Sequence, residues 1–380
     1  MNGVKCNYTL ADLERFRNED GAINLDLLSL DVKEENREKM GSQDREKFWI
    51  EFSDGNKALV KVNNLPERNT YGYYAELLGP YFTRQVGLEH ARNDLVIYKG
   101  NKGILSNSIL KKDEELFSLA SFLDEDEEEL ENVDSFFSST MTDLFTTCTK
   151  LMKKLKEEGM TKDEIWEVLR DFQKQMVYDM YVLAEDRHPE NVSLIRNKKT
   201  GKIKLSTIYD SEDTLVLDRP VDAIQKLTNS LNFDYIKEIT SKACPRIVIA
   251  PESEDYTLED VYKNTFAHYI DDDEIGDFAF LCGEKINPKE AIAALEEKLH
   301  AKLPEEVKLM TILAVNDRKK DLNRIMEYGY EPPTSEKSSI EFNENRIIEM
   351  LRKDVKLFDI ATEDKIDIKE NEKDKPEMQI

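Results

Sequence analysis

The apolar positions along the chain change period several times, and each change marks an element. Residues 1–30 have no strong period, and Asp26-Leu-Leu-Ser-Leu30 fits a short strand and a helical turn equally well. Lys47 to Phe52 alternates and is rich in aromatics, Asp54-Gly55 is a type I′ turn signal, and Ala58 to Val62 is a second strand. The pattern predicts a hairpin with Leu59 and Lys61 on one face and Ala58, Val60 and Val62 on the other. Tyr74, Leu77, Leu78, Tyr81 and Phe82 fall at helical spacing and predict a helix from Tyr71 to Gly87. Pro80 lies inside it. Its ring crowds the carbonyl of Glu76, so a kink is expected there. Leu95 to Tyr98 and Gly103 to Leu110 are two more strands across a turn at Lys99-Gly100, the second expected to leave a backbone edge free.

An acidic run follows, Asp124-Glu-Asp-Glu-Glu-Glu-Leu-Glu131, whose like charges repel and predict an exposed insert. Phe137, Met141, Leu144, Cys148, Leu151 and Leu155 keep a helical period up to Gly159. Thr161-Lys-Asp-Glu164 is a capping box, and it opens a helix striped by Ile165, Leu169, Phe172, Met176, Met180 and Leu183. That helix delivers the chain to Asp186-Arg-His-Pro-Glu-Asn191. A hairpin turned at Asn197-Lys-Lys-Thr-Gly201 then leads to Asp210, expected at the end of its second strand. Helices over Thr257–Tyr269, Lys289–Leu303 and Pro304–Tyr328 complete the pattern, before a charged tail.

Composition narrows the class. A chain of 380 residues with 39% hydrophobic residues, 16 Phe and 15 Tyr can fill two sizeable lobes. The net charge of -25 argues against direct nucleic-acid binding, which needs a basic face. No run approaches the ~20 apolar residues that span a bilayer, and the amino terminus has no apolar signal segment. Cys6, Cys148, Cys244 and Cys282 are far apart and make no C-x-x-C pair, which fits reduced thiols in a cytoplasmic protein.

The chemistry concentrates in three side chains. Asp186 and Asn191 have the D-x-x-x-x-N spacing of a phosphotransferase loop, where the carboxylate orients the attacking hydroxyl and the amide holds metal. Asp210 comes where the metal-binding aspartate of such a site belongs. Alone, the spacing also fits an aspartate capping a turn and an asparagine starting a hairpin. The upstream residues tip the balance: Lys61 in mid-strand suits α/β-phosphate oxygens, Leu59 two residues earlier suits a base, and Glu76 on the next helix can pair with Lys61. The strand from Gly103 would offer its edge to a purine.

These residues carry a resemblance. Asp186-Arg-His-Pro-Glu-Asn191 with Ile208-Tyr-Asp210 resembles the HipA-like serine/threonine kinases, which share D-R-H-x-x-N with phosphatidylinositol 3/4-kinases. Gly41-Ser-Gln-Asp-Arg-Glu-Lys47 is similar to that family's phosphate-covering loop, Tyr74-Ala-Glu76 to its Y-x-E helix, and Gly103 to Leu110 to its hinge. The match spans about residues 40–270. It implies Mg-ATP as cofactor, Asp186 as the catalytic carboxylate, Asn191 and Asp210 as Mg²⁺ ligands, and Lys61 positioned by Glu76. It also implies backbone amides near Ser42 and Gln43 over the phosphates, His188 organising the loop, and Ser42 as a candidate for autophosphorylation. Two departures stand out: Pro80 in the glutamate helix, and Ser211-Glu212 where a glycine commonly follows the aspartate. No long N-terminal extension precedes the match, so the chain is read as a short, kinase-domain-only variant.

The expected fold is α+β and bilobed. A small antiparallel-sheet N-lobe would cover 1–115, a boundary insert 116–135, a helical C-lobe 136–360 and a flexible tail 361–380. The expected partners are ATP, a protein substrate and an antitoxin or other regulator. A lipid or small-molecule kinase and a nucleotide-binding pseudokinase scaffold are the alternatives.

Overall fold

The alternation between residues 45 and 63 seeds a six-stranded sheet. The computed structural model describes residues 3–33, 45–63, 70–123, 141–230, 233–249 and 257–330. Ser42, Gln43, the acidic run 124–131, Phe137 and the tail lie outside these residues. The N-terminal elements are β1 (Val4–Lys5), β2 (Ile23–Asn24), β3 (Arg45–Glu51), β4 (Lys57–Asn63), helix α1 (Gly72–Gln85), β5 (Asn93–Tyr98) and β6 (Asn101–Asn107). The sheet order is β1-β3-β4-β6-β5-β2; the four central strands pair antiparallel and the short edge strands parallel.

The aperiodic first thirty residues cover one face of this sheet. Val4, Leu13, Ile23, Leu25 and Leu28 pack with Phe48, Ile50, Ala58, Val60, Val62, Val96 and Leu105 into one core. A segment of two-residue strands and 3₁₀ turns (Ala11–Phe16 and Leu25–Leu28) has no sustained period to read. The second of these turns resolves the ambiguity at Asp26.

One turn differs from its sequence signal and another meets it. At Asp54-Gly55 only Gly55 has a positive φ, of 84°, and Gly55 N–H donates to the Phe52 carbonyl at 3.0 Å. The connection is therefore a turn closed by a left-handed glycine rather than the expected type I′ turn, which needs positive φ at both central residues. Lys99 and Gly100, with φ of 50° and 78°, meet that requirement between β5 and β6. The expected free edge on the Gly103 strand is also corrected. β6 lies between β4 and β5, and its ladder is occupied on both sides. Gly103 makes this possible, since a Cβ there would stand 2.1 Å from the Lys61 carbonyl oxygen.

The other face of the sheet carries Lys47, Lys61, Ile104 and Leu95 directly opposite one another across four strands. Helix α1 packs over β5 and β6, with Leu77, Leu78 and Phe82 buried. It runs through Pro80, which has no N–H to give to the Glu76 carbonyl. Asn93 of β5 supplies the missing donor, its Nδ2 lying 2.8 Å from that oxygen. The helix thus tolerates proline at a position that faces a strand amide.

The second half is mainly helical, as expected. Its elements are β7 (Glu114–Ser118), α2 (Leu119–Phe122), β8 (Thr142–Asp143), α3 (Leu144–Glu157), α4 (Lys162–Tyr181), β9 (Ser193–Asn197), β10 (Ile203–Leu205), α5 (Val221–Ser230), α6 (Phe233–Lys242), β11 (Ile247–Val248), α7 (Leu258–Ile270), α8 (Asp273–Lys285), α9 (Pro288–Leu299) and α10 (Glu305–Tyr328). Helix α4 is the axis of this half and packs on α3, α7, α8 and α10. Both halves of the Thr161–Glu164 capping box form, and all six residues of the predicted stripe are buried. β7 pairs with β9 of the β9–β10 hairpin, so the expected lobe division at residue 115 falls inside a strand. The helix expected to reach Leu303 stops at Leu299, where His300 takes a left-handed φ of 53° and Ala301 N–H closes onto the Glu296 carbonyl.

The Pro80–Asn93 compensation is testable. Asn93→Ala should cost about 1–3 kcal/mol, measured by urea unfolding, because it orphans the buried Glu76 carbonyl. In a Pro80→Ala background the helix regains its own donor, and the same change should cost about 1 kcal/mol less.

Candidate active site

The site forms where the lysine face of the sheet meets the segments that follow α4. Lys61 Nζ lies 3.2 Å from Glu76 Oε1 and 2.7 Å from Asp210 Oδ1, which joins the strand, the helix and the distant aspartate in one cluster. Asn93 Nδ2 also reaches Glu76 Oε2 at 3.2 Å, so one amide fixes both ends of the glutamate. Burial works against the Lys61 charge, but Asp210 and Glu76 overcome it and hold the ammonium protonated far above its usual range. Burial likewise works to raise Asp210, and Lys61, with Lys47 and Arg187 further off, pulls it well below the ordinary carboxylate range. Leu59 is half-buried on the same face, two residues from Lys61.

Asp186 and Asn191 are set by the end of α4. Leu183, fully buried, has a left-handed φ of 54°, and Ala184 N–H donates back to the Asp179 carbonyl at 2.9 Å. A six-residue closure of this kind usually takes glycine at the left-handed position. Here a buried leucine fills it and turns the chain sharply into the loop. Asn191 Nδ2 then donates to the Asp186 carbonyl at 2.8 Å and to Asp186 Oδ2 at 3.0 Å. With its amide donors so engaged, the Asn191 oxygen is the atom left for a cation. Burial raises the Asp186 carboxyl, but His188 and Arg246 outweigh it and keep it below its usual value. His188 Nδ1 accepts from Glu190 N–H at 3.2 Å, and its Nε2 lies 3.6 Å from Asp186 Oδ1.

Asp210 is placed differently from its prediction. β10 ends at Leu205, and the chain then makes only a single bridge, Ile208 beside His90, before Asp210 takes a left-handed φ of 53°. The left-handed backbone at Asp210 accompanies its carboxylate's approach to Lys61.

Several residues hold the site that the sequence did not announce. Arg187 is 2% exposed, lies 3.0 Å from the fully buried Asp179 of α4, and donates to the carbonyls of Asn191 at 2.9 Å and Tyr209 at 3.1 Å. It therefore binds the Asn191 loop and the Asp210 segment to one helix. Burial pushes Asp179 up to about 6, with Arg187 opposing. Arg246, just before β11, places a guanidinium 3.0 Å from Asp186 Oδ1. His90 is buried beneath the cluster, with Nε2 2.9 Å from Ser211 Oγ and Nδ1 2.8 Å from the Ala91 carbonyl. Gly79 makes room for it, since a Cβ there would meet His90 Nε2 at 2.4 Å. Arg187 was visible only as a letter of the motif. Asn93, His90 and Arg246 are single polar residues in apolar or unpatterned stretches and gave no periodic signal.

The oxygen donors fit a hard divalent cation. An ionised Asp210 and the amide oxygen of Asn191 are the type of ligand that magnesium takes. Among the described residues no three His, Cys, Asp or Glu side chains converge as a separate metal cage. Nor is any helix among them long and apolar enough to cross a membrane.

The buried His90 makes stability pH-dependent in a definite sense. Burial lowers its pKa, so below about 6.5 the unfolded chain binds a proton that the folded chain refuses. Stability is therefore lost as pH falls through this window. His90→Gln should flatten the wild-type curve between pH 5 and 6.5 by up to about 1.4 kcal/mol per pH unit, read from urea unfolding of both proteins.

No family model matches the sequence, and no curated protein matches it. Solved structures do. The Helicobacter pylori proinflammatory kinase CtkA superposes with a TM-score of 0.55 at 14% identity, over 77% of this chain and 95% of that one. HipA of Shewanella oneidensis, solved with HipB and operator DNA, aligns over 77% of this chain and 66% of that one, with a TM-score of 0.45 at 11% identity. The described chain has the bilobed α+β fold of a kinase, a mixed sheet followed by a mainly helical half.

Proposed function

We propose that this chain is an ATP-dependent kinase of the HipA-like type that transfers a phosphoryl group to a serine or threonine hydroxyl of a protein. The observation that carries the reading is the joining of Lys61, Glu76 and Asp210 in one cluster, with the Asp186–Asn191 loop tied to Asp210 through Arg187. A lysine and two metal-type oxygens around an orienting carboxylate are the parts that phosphoryl transfer needs.

In this reading Lys61 binds the α- and β-phosphates, and Glu76, anchored by Asn93, keeps its ammonium in place. Leu59 lies against the base. Asn191 and Asp210 hold Mg²⁺, which neutralises charge on the β- and γ-phosphates when bound. Asp186 accepts a hydrogen bond from the acceptor hydroxyl and aims its oxygen at the γ-phosphorus. Its depressed pKa suits a group that orients, since a loose transition state asks little of a base. His188 braces the loop through Glu190 N–H. Backbone amides near Ser42 and Gln43 would close over the phosphates, and Ser42 is the candidate for self-modification. The serine/threonine specificity and an antitoxin-like partner rest on the sequence resemblance alone.

Transfer of labelled γ-phosphate by the purified protein tests the proposal. Wild type with Mg-ATP should label itself or a protein in a cell extract, and EDTA should abolish the signal. Asp186→Asn and Asp210→Asn should each lower the rate at least ~100-fold, the range expected for loss of a transition-state electrostatic contact. A wild-type protein that labels nothing would refute the kinase reading, and label confined to lipid would redirect it.

A further inference from the structure

Arg246 is a charged group beside Asp186 to which the proposed chemistry gives no task. Its guanidinium lies 3.0 Å from Asp186 Oδ1 and its side chain is 35% exposed. The main chain beneath it is locked on both sides. Arg246 N–H donates to the carbonyl of Arg187, the residue after Asp186, at 3.2 Å, and its own carbonyl accepts from Thr142 N–H at 2.7 Å. Ile247 and Val248 continue as β11 against β8. The preceding turn is pinned by the buried Arg318, whose Nη2 donates to the carbonyls of Thr240 and Ala243.

This much scaffolding is out of proportion to a stabilising ion pair. A partly exposed pair contributes at most about 1 kcal/mol. For the hydroxyl-orienting role of Asp186, a neighbouring cation brings no benefit of its own, because it weakens the carboxylate as an acceptor. What the scaffold does achieve is a permanent positive charge, with a fork of N–H donors, held beside the carboxylate that meets the acceptor. The group being transferred must pass through that neighbourhood.

We propose that Arg246 is a catalytic residue, an arginine finger supplied in cis, whose guanidinium donates to the equatorial oxygens of the γ-phosphoryl group during transfer. The inference rests on the phosphotransferase reading above. In the step it serves, the acceptor oxygen forms a bond to the γ-phosphorus while the bond from that phosphorus to the β,γ-bridging oxygen breaks. The electron pair of the broken bond leaves with ADP, and the acceptor's proton passes to Asp186 and then to solvent. Arg246 stays bonded to Asp186 through one N–H and meets the flattening phosphoryl group with others.

Kinetics and a transition-state mimic test this on the full chain. Arg246→Ala should lower kcat for phosphoryl transfer by about 10³-fold, the low end for loss of an arginine finger, with KM for ATP within about threefold. Arg246→Lys, which keeps the charge but loses the fork, should recover part of the rate. Independently of turnover, aluminium fluoride should tighten binding of fluorescent ADP with Mg²⁺ to wild type. Arg246→Ala should bind ADP normally but lose that tightening. An unchanged or raised kcat in Arg246→Ala, or equal loss of plain ADP binding, would overturn the proposal and leave the kinase reading standing. A wild type that neither transfers phosphate nor responds to aluminium fluoride would remove both.

Discussion

The site depends on one buried cation. Arg187 sits between Asp179 of helix α4 and the carbonyls of Asn191 and Tyr209, and so determines where the two metal-type residues stand relative to each other. Desolvating a guanidinium and a carboxylate is costly, and removing one partner from such a pair typically costs about 3–5 kcal/mol. The molecule accepts this arrangement at a place where an apolar contact would not specify direction. A planar donor with five N–H groups ties three segments at once, and a hydrophobic residue of the same volume ties none in a fixed orientation.

The sheet side solves a related problem by other means. Glu76 must reach Lys61 from a helix that contains Pro80, and proline strips the Glu76 carbonyl of its partner. Asn93 satisfies that carbonyl and the Glu76 carboxylate with the same amide. What looks in the sequence like a defect in the helix becomes the point at which helix and strand are joined. Close approaches at Gly79, under His90, and at Gly103, against the Lys61 backbone, make the same joint tight.

The charge balance of the cleft runs against that of the chain. The protein carries a net charge of -25, yet Lys61, Lys47, Arg187 and Arg246 surround or approach Asp186 and Asp210. Despite burial, Lys61 holds Asp210 and His188 with Arg246 holds Asp186 below the usual carboxylate range. The cleft therefore gathers cations inside a molecule whose net charge is strongly negative. The acidic surface does not read on the site, because exposed charges are screened within about 10 Å at 0.1 M salt while the enclosed ones are not.

The sequence alone determined the elements with strong local signals. The β3–β4 hairpin, the glutamate helix, the α4 capping box with its buried stripe, and the order Lys61, Glu76, Asp186, Asn191, Asp210 are written in periodicity and spacing. Tertiary structure decided the rest. Residues 1–30 had no readable period because their packing partner is the sheet and not themselves. The edge expected on the Gly103 strand vanished because β4 pairs with it from far away in sequence. Asp210 lies beyond its strand, with its carboxylate on Lys61, 149 residues earlier. His90 and Arg246 gained their meaning only from contacts far along the chain, with Ser211 and Asp186, and Asn93 and Arg187 from contacts between neighbouring elements that no single element's period displays. Local pattern encodes which way a side chain faces along its own element, and only the packed chain brings together charges that compensate each other's desolvation.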